Sequence, residues 1–251
     1  MATAAGCSGT AGAASTPSAS ATPTVPGPNV GTSLNAKLPS RLSHLKLVTP
    51  SGDSTTLAAQ RGKVVLVSDI MTLCQETCPA DTATFVATAN AIRAAGLSNQ
   101  VEFLSITVDP KRDTRPQLAA YRRLYKPTPP DWLTLTGDPA GLNALWKYLG
   151  VYHKKVPNDS PAPRNWRTGK KLTYDIEHSD EVFFFDRSGH ERFVLEGTGR
   201  VPKGVTLAPT LRKFLDADGV KALKHPPTGA WTVTQATDVI GWLTGKHVHA
   251  R

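Results

Sequence analysis

Residues 64–79 read VVLVSDIMTLCQETCP: an apolar run, two cysteines with three residues between them, and a proline. Val64–Ile70 is rich in β-branched residues and predicts a buried central strand. Pro79 suits the first turn of a helix, which we expect to continue to about Ala95 before Gly96. The stretch therefore predicts a strand, a cysteine-bearing loop and a helix, in that order.

The two cysteines occupy the place where α/β proteins put their sites, the loop at the carboxyl end of a strand. Cys74 falls within this loop and Cys78 at the helix entrance, where the helix end stabilises anions and lowers a thiol pKa. Thiolates placed there can bind a soft metal or attack a disulfide. A disulfide across the loop is also geometrically possible. The remaining alternative is a pair of buried thiols without a chemical role.

The rest of the chain alternates predicted strands with predicted helices. A hairpin with its turn at residues 51–53 comes before the stretch above. Further strands are predicted at Val101–Val108, Trp132–Thr136, Glu181–Asp186 and Arg192–Glu196, and further helices at Thr114–Tyr125, Pro139–Leu149 and Thr234–Thr244. This order predicts an α/β, thioredoxin-like fold: a central mixed sheet flanked by helices, with an N-terminal hairpin and a C-terminal insertion at 199–230.

The N-terminal part differs sharply in composition from the rest. Residues 1–36 contain no Asp, Glu, Lys or Arg and are dominated by small residues, Ser, Thr and Pro. Such a segment has little apolar surface to offset the entropy of ordering. We therefore expect a disordered linker at 1–39, one domain at 40–246 and a short tail at 247–251.

Cys7 stands apart from the other two cysteines. Residues 4–7, AAGC, resemble the end of a bacterial lipoprotein signal, in which the cysteine carries the lipid. The resemblance implies lipidation of Cys7, with the linker as a tether, and an extracytoplasmic domain anchored to the cell membrane. The alternative is an unmodified cysteine in an ordinary disordered N-terminus.

Charge and hydropathy narrow the possible partners. The net charge of +9 allows an anionic partner, such as an acidic protein surface or lipid headgroups. The basic residues are scattered and no nucleic-acid-binding motif occurs, so we expect no nucleic-acid partner. No run approaches the roughly 18–20 apolar residues that cross a bilayer as a helix.

His178 is the candidate third member of the site. It precedes the apolar run EVFFF and is expected in a loop at a strand edge, beside the cysteine loop. Two thiolates and an imidazole form a soft three-ligand set that suits Cu(I). His247 and His249 lie in the C-terminal tail, where we expect them to be solvated.

Four motifs resemble the Sco/SenC family of copper-binding cytochrome c oxidase assembly proteins. They are GKVVLV at 62–67, CQETCP at 74–79, VDPKRDT at 108–114 and YDIEHSDEVFFFDRSG at 174–189. The resemblance covers most of residues 42–196. It implies one copper ion held by Cys74, Cys78 and His178, and a role in building the copper A centre of cytochrome c oxidase. Family members do this by delivering copper, by reducing the target's cysteines, or by both.

This chain departs from the family pattern around the cysteines. The family usually has Pro-Asp-Ile or Pro-Asp-Val between them, whereas residues 75–77 are Gln-Glu-Thr. The aromatic-rich approach to the first cysteine is replaced by Ser-Asp-Ile-Met at 68–71, which predicts a wetter loop. For Asp109 and Asp113 of the VDPKRDT motif we expect turn and capping roles rather than metal binding.

Three functions follow from these observations. The first is a copper metallochaperone whose partner is the copper-bearing subunit of cytochrome c oxidase or another copper or thiol protein. The alternative is an extracytoplasmic thiol–disulfide oxidoreductase that uses Cys74 and Cys78. The third is a binding module with inert thiols, docked to a membrane partner through its basic surface.

Overall fold

The computed structural model describes Met1, residues 22–158 and residues 160–248. Its strands are β1 (Thr32–Lys37), β2 (Leu47–Val48), β3 (Ser54–Thr55), β4 (Val64–Ile70), β5 (Val101–Thr107), β6 (Trp132–Gly137), β7 (His153–Val156), β8 (Asp175–His178), β9 (Glu181–Phe185) and β10 (His190–Glu196). Its α-helices are α1 (Ser40–Ser43), α2 (Cys78–Ala94), α3 (Arg115–Arg122), α4 (Pro139–Leu149), α5 (Pro209–Phe214), α6 (Ala217–Lys224) and α7 (Val233–Thr244).

Eight strands form one mixed sheet in the order β1-β10-β9-β4-β5-β6-β2-β3. Strand β4 is parallel to β5, and β5 is parallel to β6, whereas the other neighbours pair antiparallel. The prediction of a central mixed sheet flanked by helices is confirmed, as is the N-terminal hairpin β2–β3. Strand β4, which leads into the cysteine loop, is buried along its whole length.

Alternate residues of the central strands supply two separate cores, one on each face of the sheet. Leu66 and Phe103 point into the core that includes Phe85 of α2 and Ile240 of α7. Neighbouring residues of the same strands point the other way, into a core that includes Trp146 of α4. This period of two identifies the sheet as a layer covered on both faces, and it fixes the strand register.

A small second sheet, the β7–β8 ribbon, lies outside the main one. Its two strands pair antiparallel, with His153 opposite His178. His178 was predicted in a loop; it is the last residue of β8. The burial pattern of β8 is only intermediate to exposed, so hydropathy gives little sign of a strand there.

The predicted linker at 1–39 is wrong for residues 32–37, which form the edge strand β1 against β10. Only alternate residues of β1 are partly buried, so it is held mainly by backbone pairing that composition does not reveal. Gly31 permits the close approach, because a Cβ there would lie 2.3 Å from the carbonyl oxygen of Val194. The folded domain therefore begins earlier than residue 40.

The segment at 199–230 contains helices α5 and α6, and it is packed against the body of the protein. Leu211 of α5 is fully buried and belongs to the core on the α2 side of the sheet. Among the described residues, no helix is long and apolar enough to cross a membrane.

Candidate metal centre

The cysteine loop joins the end of β4 to the start of α2. Cys78 is the first residue of α2, and Cys74 lies four residues before it, as predicted. Both thiols are buried, and neither takes part in a disulfide within the described part of the chain. The loop is dry at its start, where Thr72 and Leu73 are each only 1% exposed. It is wetter between the cysteines, where Glu76 is exposed and Gln75 and Thr77 are half-buried.

Asp113 holds the start of this loop through a buried hydrogen-bond network. Its carboxylate accepts hydrogen bonds from the backbone N–H and the hydroxyl of Thr72, and a third at 2.6 Å from the hydroxyl of Thr107. The expected turn or capping role is therefore too limited, since Asp113 joins the ends of two parallel strands. Burial, reinforced by the charge of Asp109, raises the pKa of Asp113 to about 7.

Helices α5 and α6 hold the middle of the loop. The Gln75 side chain donates to the carbonyl of Phe214 at 2.9 Å, and the Asp216 N–H donates to the carbonyl of Gln75 at 3.1 Å. Gly219 approaches so closely that a Cβ there would lie 2.2 Å from the Gln75 carbonyl oxygen. The segment predicted as an insertion is thus a support for the residues between the two cysteines.

His178 reaches the thiols from the β7–β8 ribbon. Its Nε2 lies 3.1 Å from the Sγ of Cys78. The Sγ atoms of Cys74 and Cys78 and one ring nitrogen of His178 all lie within 4.8 Å of one another. The structure therefore brings together the three predicted residues, and one metal ion can contact all of them.

Asp69 is a functional residue that the sequence interpretation missed. Its Oδ2 lies 2.8 Å from the Nδ1 of His178, and its Oδ1 accepts a hydrogen bond at 3.0 Å from the N–H of Glu181. The Ser179 carbonyl oxygen also lies 3.0 Å from the same Nδ1, and these two acceptors keep the proton on that nitrogen and leave Nε2 to face a metal. The available signal was the acidic residue that interrupts the apolar run of β4.

The two thiols have opposite acidities. A hydrogen bond from Cys78 holds the pKa of Cys74 well below its usual range, against the effect of burial, and His178 contributes in the same direction. Burial raises the pKa of Cys78 well above its usual range, and the charge of Cys74 adds to this. Burial lowers the pKa of His178, but its contacts with Asp69 and Cys74 outweigh that and raise it well above the ordinary value. The opposite directions of these pKa shifts favour Cys74 over Cys78 as the thiolate of the pair.

A second anchor ties the beginning of β8 to the loop after β5. Asp109 forms an ion pair with Arg112 and accepts a hydrogen bond at 2.9 Å from the hydroxyl of Tyr174. Arg112 donates to the backbone carbonyl of Tyr174 and stacks on its ring, 4.0 Å from the centroid. The role of Asp109 is therefore to position the strand that carries His178, beyond the turn role expected for it.

Three further candidate residues lie near the two ends of the chain. Cys7 and His249 lie outside the described residues. His247 is not a member of any potential metal-binding group found among the described residues.

Comparison of the sequence with known protein families identifies the family of this chain. A sequence profile of the SCO1/SenC family matches residues 38–202, which is more than half of the chain. The chain belongs to the SCO1/SenC family. The profile spans every element from α1 to β10 and all three candidate ligands, so the site lies inside the family domain. A comparison with curated protein sequences gives no match.

Two solved structures of Sco proteins, the first two below, share the fold. A SCO1/SenC family lipoprotein from Bacillus anthracis is 20% identical with a TM-score of 0.53, covering 72% of this chain and 95% of its own. BsSco, described as a member of the Sco family of cytochrome c oxidase assembly proteins, is 19% identical with a TM-score of 0.50, covering 78% and 98%. Copper-bound ScoI of Bradyrhizobium japonicum is 26% identical with a TM-score of 0.48, covering 68% and 97%.

Proposed function

We propose that the protein is a copper-binding metallochaperone that holds one copper ion with Cys74, Cys78 and His178. The observation that carries the proposal is the convergence of two sulfurs and one imidazole nitrogen within 4.8 Å. Thiolate and imidazole donors form a soft set that selects Cu(I) over hard cations. Copper-bound ScoI belongs to the same family, which supports the choice of metal.

The surroundings of the thiols favour the arrival of a cation. Asp175, Asp216 and Asp218 each lie close enough to Glu76 to interact with it electrostatically, and so does Cys74. Burial and these charges together raise the pKa of Glu76. These carboxylates make the surroundings of the thiols negative. The site therefore attracts a metal cation although the whole molecule carries a net charge of +9.

The partner that we propose is the copper-bearing subunit of cytochrome c oxidase, with transfer by exchange of sulfur ligands. The description of BsSco as a member of a family of cytochrome c oxidase assembly proteins supports this choice. We also propose that lipid on Cys7 anchors the domain outside the cytoplasm, which is supported by the B. anthracis relative being a lipoprotein. Incubating the copper-loaded chain with a metal-free copper A domain should produce the visible absorption of the assembled centre.

Copper stoichiometry tests the core of the proposal. The reduced full chain, with Cys7→Ser to remove the third thiol, should retain one Cu(I). Cys74→Ser should abolish tight binding and His178→Ala should weaken it, while His225→Ala, which alters an exposed histidine, should leave it unchanged. Full copper retention by both Cys74→Ser and His178→Ala would contradict the three-ligand site.

A second candidate function, thiol–disulfide exchange, is favoured by the free state and closeness of the two thiols. The Cys74 thiolate would attack a target disulfide, and Cys78 would then displace the target from the mixed disulfide. This chain would end with a Cys74–Cys78 disulfide, and the target would end with two thiols. Two electrons and two protons would pass from this chain to the target. Metal-free chain that reduces a disulfide substrate equally well with His178→Ala would favour this function over copper delivery.

A further inference from the structure

A cavity of about 200 Å³ lies away from the cysteine loop, where the β7–β8 ribbon meets helix α4 and the loop that follows β5. It is lined by residues other than Cys74, Cys78 and His178. Its volume exceeds that of an engineered apolar cavity of roughly 150 Å³ that takes up a benzene molecule. The cavity is therefore large enough for one aromatic ring or a short branched chain.

One part of the lining is apolar and continuous with the protein core. Val108, Leu142 and Trp146 are buried members of the core on the α4 side of the sheet, and Ile176 of the ribbon packs against that core. Apolar surface of this kind gains free energy when a hydrocarbon group replaces the water in contact with it. The lining therefore favours a ligand with an apolar body.

Another part of the lining carries positive charge without a counter-charge. Lys111 and Lys155 are exposed, and neither forms an ion pair with a described residue. The Nζ of Lys155 lies 4.2 Å from the ring centroid of Tyr174, which also lines the cavity. Asp109 is present too, but both of its oxygens are occupied, because one accepts from Arg112 and the other from the Tyr174 hydroxyl. The charge that remains available attracts an anion.

Asn143 and His153 add polar groups to the same cavity. The Nε2 of His153 lies 3.0 Å from the Oδ1 of Asn143. This contact occupies the acceptor of the amide and leaves its Nδ2 group available to donate to a bound anion. A few convergent polar groups on an apolar lining are the usual composition of a small-molecule site.

We propose that this cavity binds a small organic carboxylate, with its apolar body against Leu142, Trp146 and Ile176 and its carboxylate beside Lys111 and Lys155. Such a ligand would touch the ribbon, α4 and the loop after β5 at the same time. It would therefore hold the ribbon, which carries His178 at the end of β8, against the body of the protein. The site does not depend on the presence of a metal.

Nuclear magnetic resonance titration of the full chain with phenylacetate tests the proposal. Phenylacetate should cause saturable shifts of amide signals in the ribbon and α4, whereas phenethylamine, which joins the same ring to a cation, should not. The Lys111→Gln/Lys155→Gln double variant should bind phenylacetate roughly fivefold more weakly, as expected for the loss of two exposed ion pairs. Lys154→Gln, which alters the neighbouring exposed lysine of β7 outside the cavity lining, should bind as wild type.

Asn143→Phe tests the location of the ligand. It adds a ring to the cavity from an exposed position of α4 and leaves both lysines in place, so it should abolish phenylacetate binding without loss of the fold. Absence of saturable shifts in wild-type protein up to ~20 mM phenylacetate would overturn the proposal. Equal binding of phenylacetate and phenethylamine, or unchanged phenylacetate binding by Asn143→Phe or by the double variant, would overturn it as well.

Discussion

The two halves of the copper-ligand set are supported in different ways. The thiol half is a loop between the central strand β4 and helix α2, held from one side by Asp113 and from the other by helices α5 and α6. The imidazole half stands at the end of a two-stranded ribbon outside the main sheet, where Asp69 contacts the ring and Arg112 holds the start of β8.

This difference indicates a division of labour within the site. The thiols are fixed by many buried contacts that also stabilise the fold, so damage there should appear in both stability and metal binding. The imidazole depends on few contacts, so damage there should appear in metal binding with little loss of stability. Substitutions on each side can separate these two effects.

The largest expected effect comes from Asp113→Ala on the thiol side. Removing the carboxylate leaves the buried N–H and hydroxyl of Thr72 and the hydroxyl of Thr107 without their acceptor, which should cost about 3 kcal/mol of unfolding free energy. Urea denaturation measures this loss, with Asp238→Ala as an exposed control. If Asp113→Ala loses no more unfolding free energy than the control, the network does not hold the loop.

The pH dependence of the same residue gives a second check. Burial raises the folded-state pKa of Asp113 to about 7. The folded protein therefore keeps the Asp113 proton at pH values where the unfolded chain, with the ordinary pKa of an aspartate, has already released it. The stability gained from this is complete below about pH 4 and is lost as the pH rises through about 7. The stability advantage of wild type over Asp113→Asn should therefore shrink between pH 4 and 8.

Asp69→Asn should have the next largest effect, on the imidazole side. The amide keeps the size and the Oδ1 acceptor for Glu181 but removes the negative charge at the Nδ1 of His178. Copper affinity should fall roughly 10- to 100-fold, as for other residues that orient a metal-bound histidine. A competition titration with a Cu(I) chelator measures this, and the exposed Glu177→Gln on the same strand is the control.

The unfolding free energy of Asp69→Asn should change less than that of Asp113→Ala. Nuclear magnetic resonance titration should also show a lower His178 pKa in this variant, because the contact with Asp69 is one of the causes that raise it. Unchanged copper affinity together with an unchanged His178 pKa would show that Asp69 does not position the ring.

Gly219→Ala probes the support of the cysteine loop by α6. The new methyl group would lie 2.2 Å from the Gln75 carbonyl oxygen, so helix or loop must move, at a cost of about 1–3 kcal/mol. Copper affinity should fall with it, because Gln75 lies directly after Cys74. Gly229→Ala is a matched control, since a Cβ there meets nothing within 4 Å. Equal unfolding free energy and equal copper affinity of the two variants would show that α6 does not support the cysteine loop.

The part of the site that sequence predicts well is the part carried by strong local patterns. Val64–Ile70 was predicted to the residue, because a short run rich in β-branched residues, interrupted only by Ser68 and Asp69, favours a buried strand. Cys74 and Cys78 were placed correctly because helix-start signals follow them. His178 was grouped with them through its place before the apolar run EVFFF and through the family motif. The short strand that carries it was not predicted, because that strand is half exposed and lacks a period.

Two of the contacts that sequence did not predict join distant segments. Asp69 meets His178 across more than a hundred residues, and Gln75 meets Phe214 across 139. Local periodicity carries no information about such pairs. The edge strand β1 was missed for a similar reason, because its pairing with β10 depends on backbone hydrogen bonds and a polar composition hides it.

The smallest expected effect is that of Trp166→Phe, which removes one hydrogen bond at the thiol half. The Trp166 Nε1 donates to the Thr72 carbonyl at 2.7 Å, and its ring packs beside Leu73 and Phe214. Phenylalanine keeps much of the packing, so the unfolding free energy should fall by about 1 kcal/mol. Copper affinity should change little, because Asp113 still holds Thr72 from the other side. Chemical denaturation beside Tyr152→Phe, an exposed aromatic control, measures the difference. A large loss of copper binding by Trp166→Phe with unchanged stability would contradict this difference between the two halves. The thiol half would then depend on single contacts, as the imidazole half does.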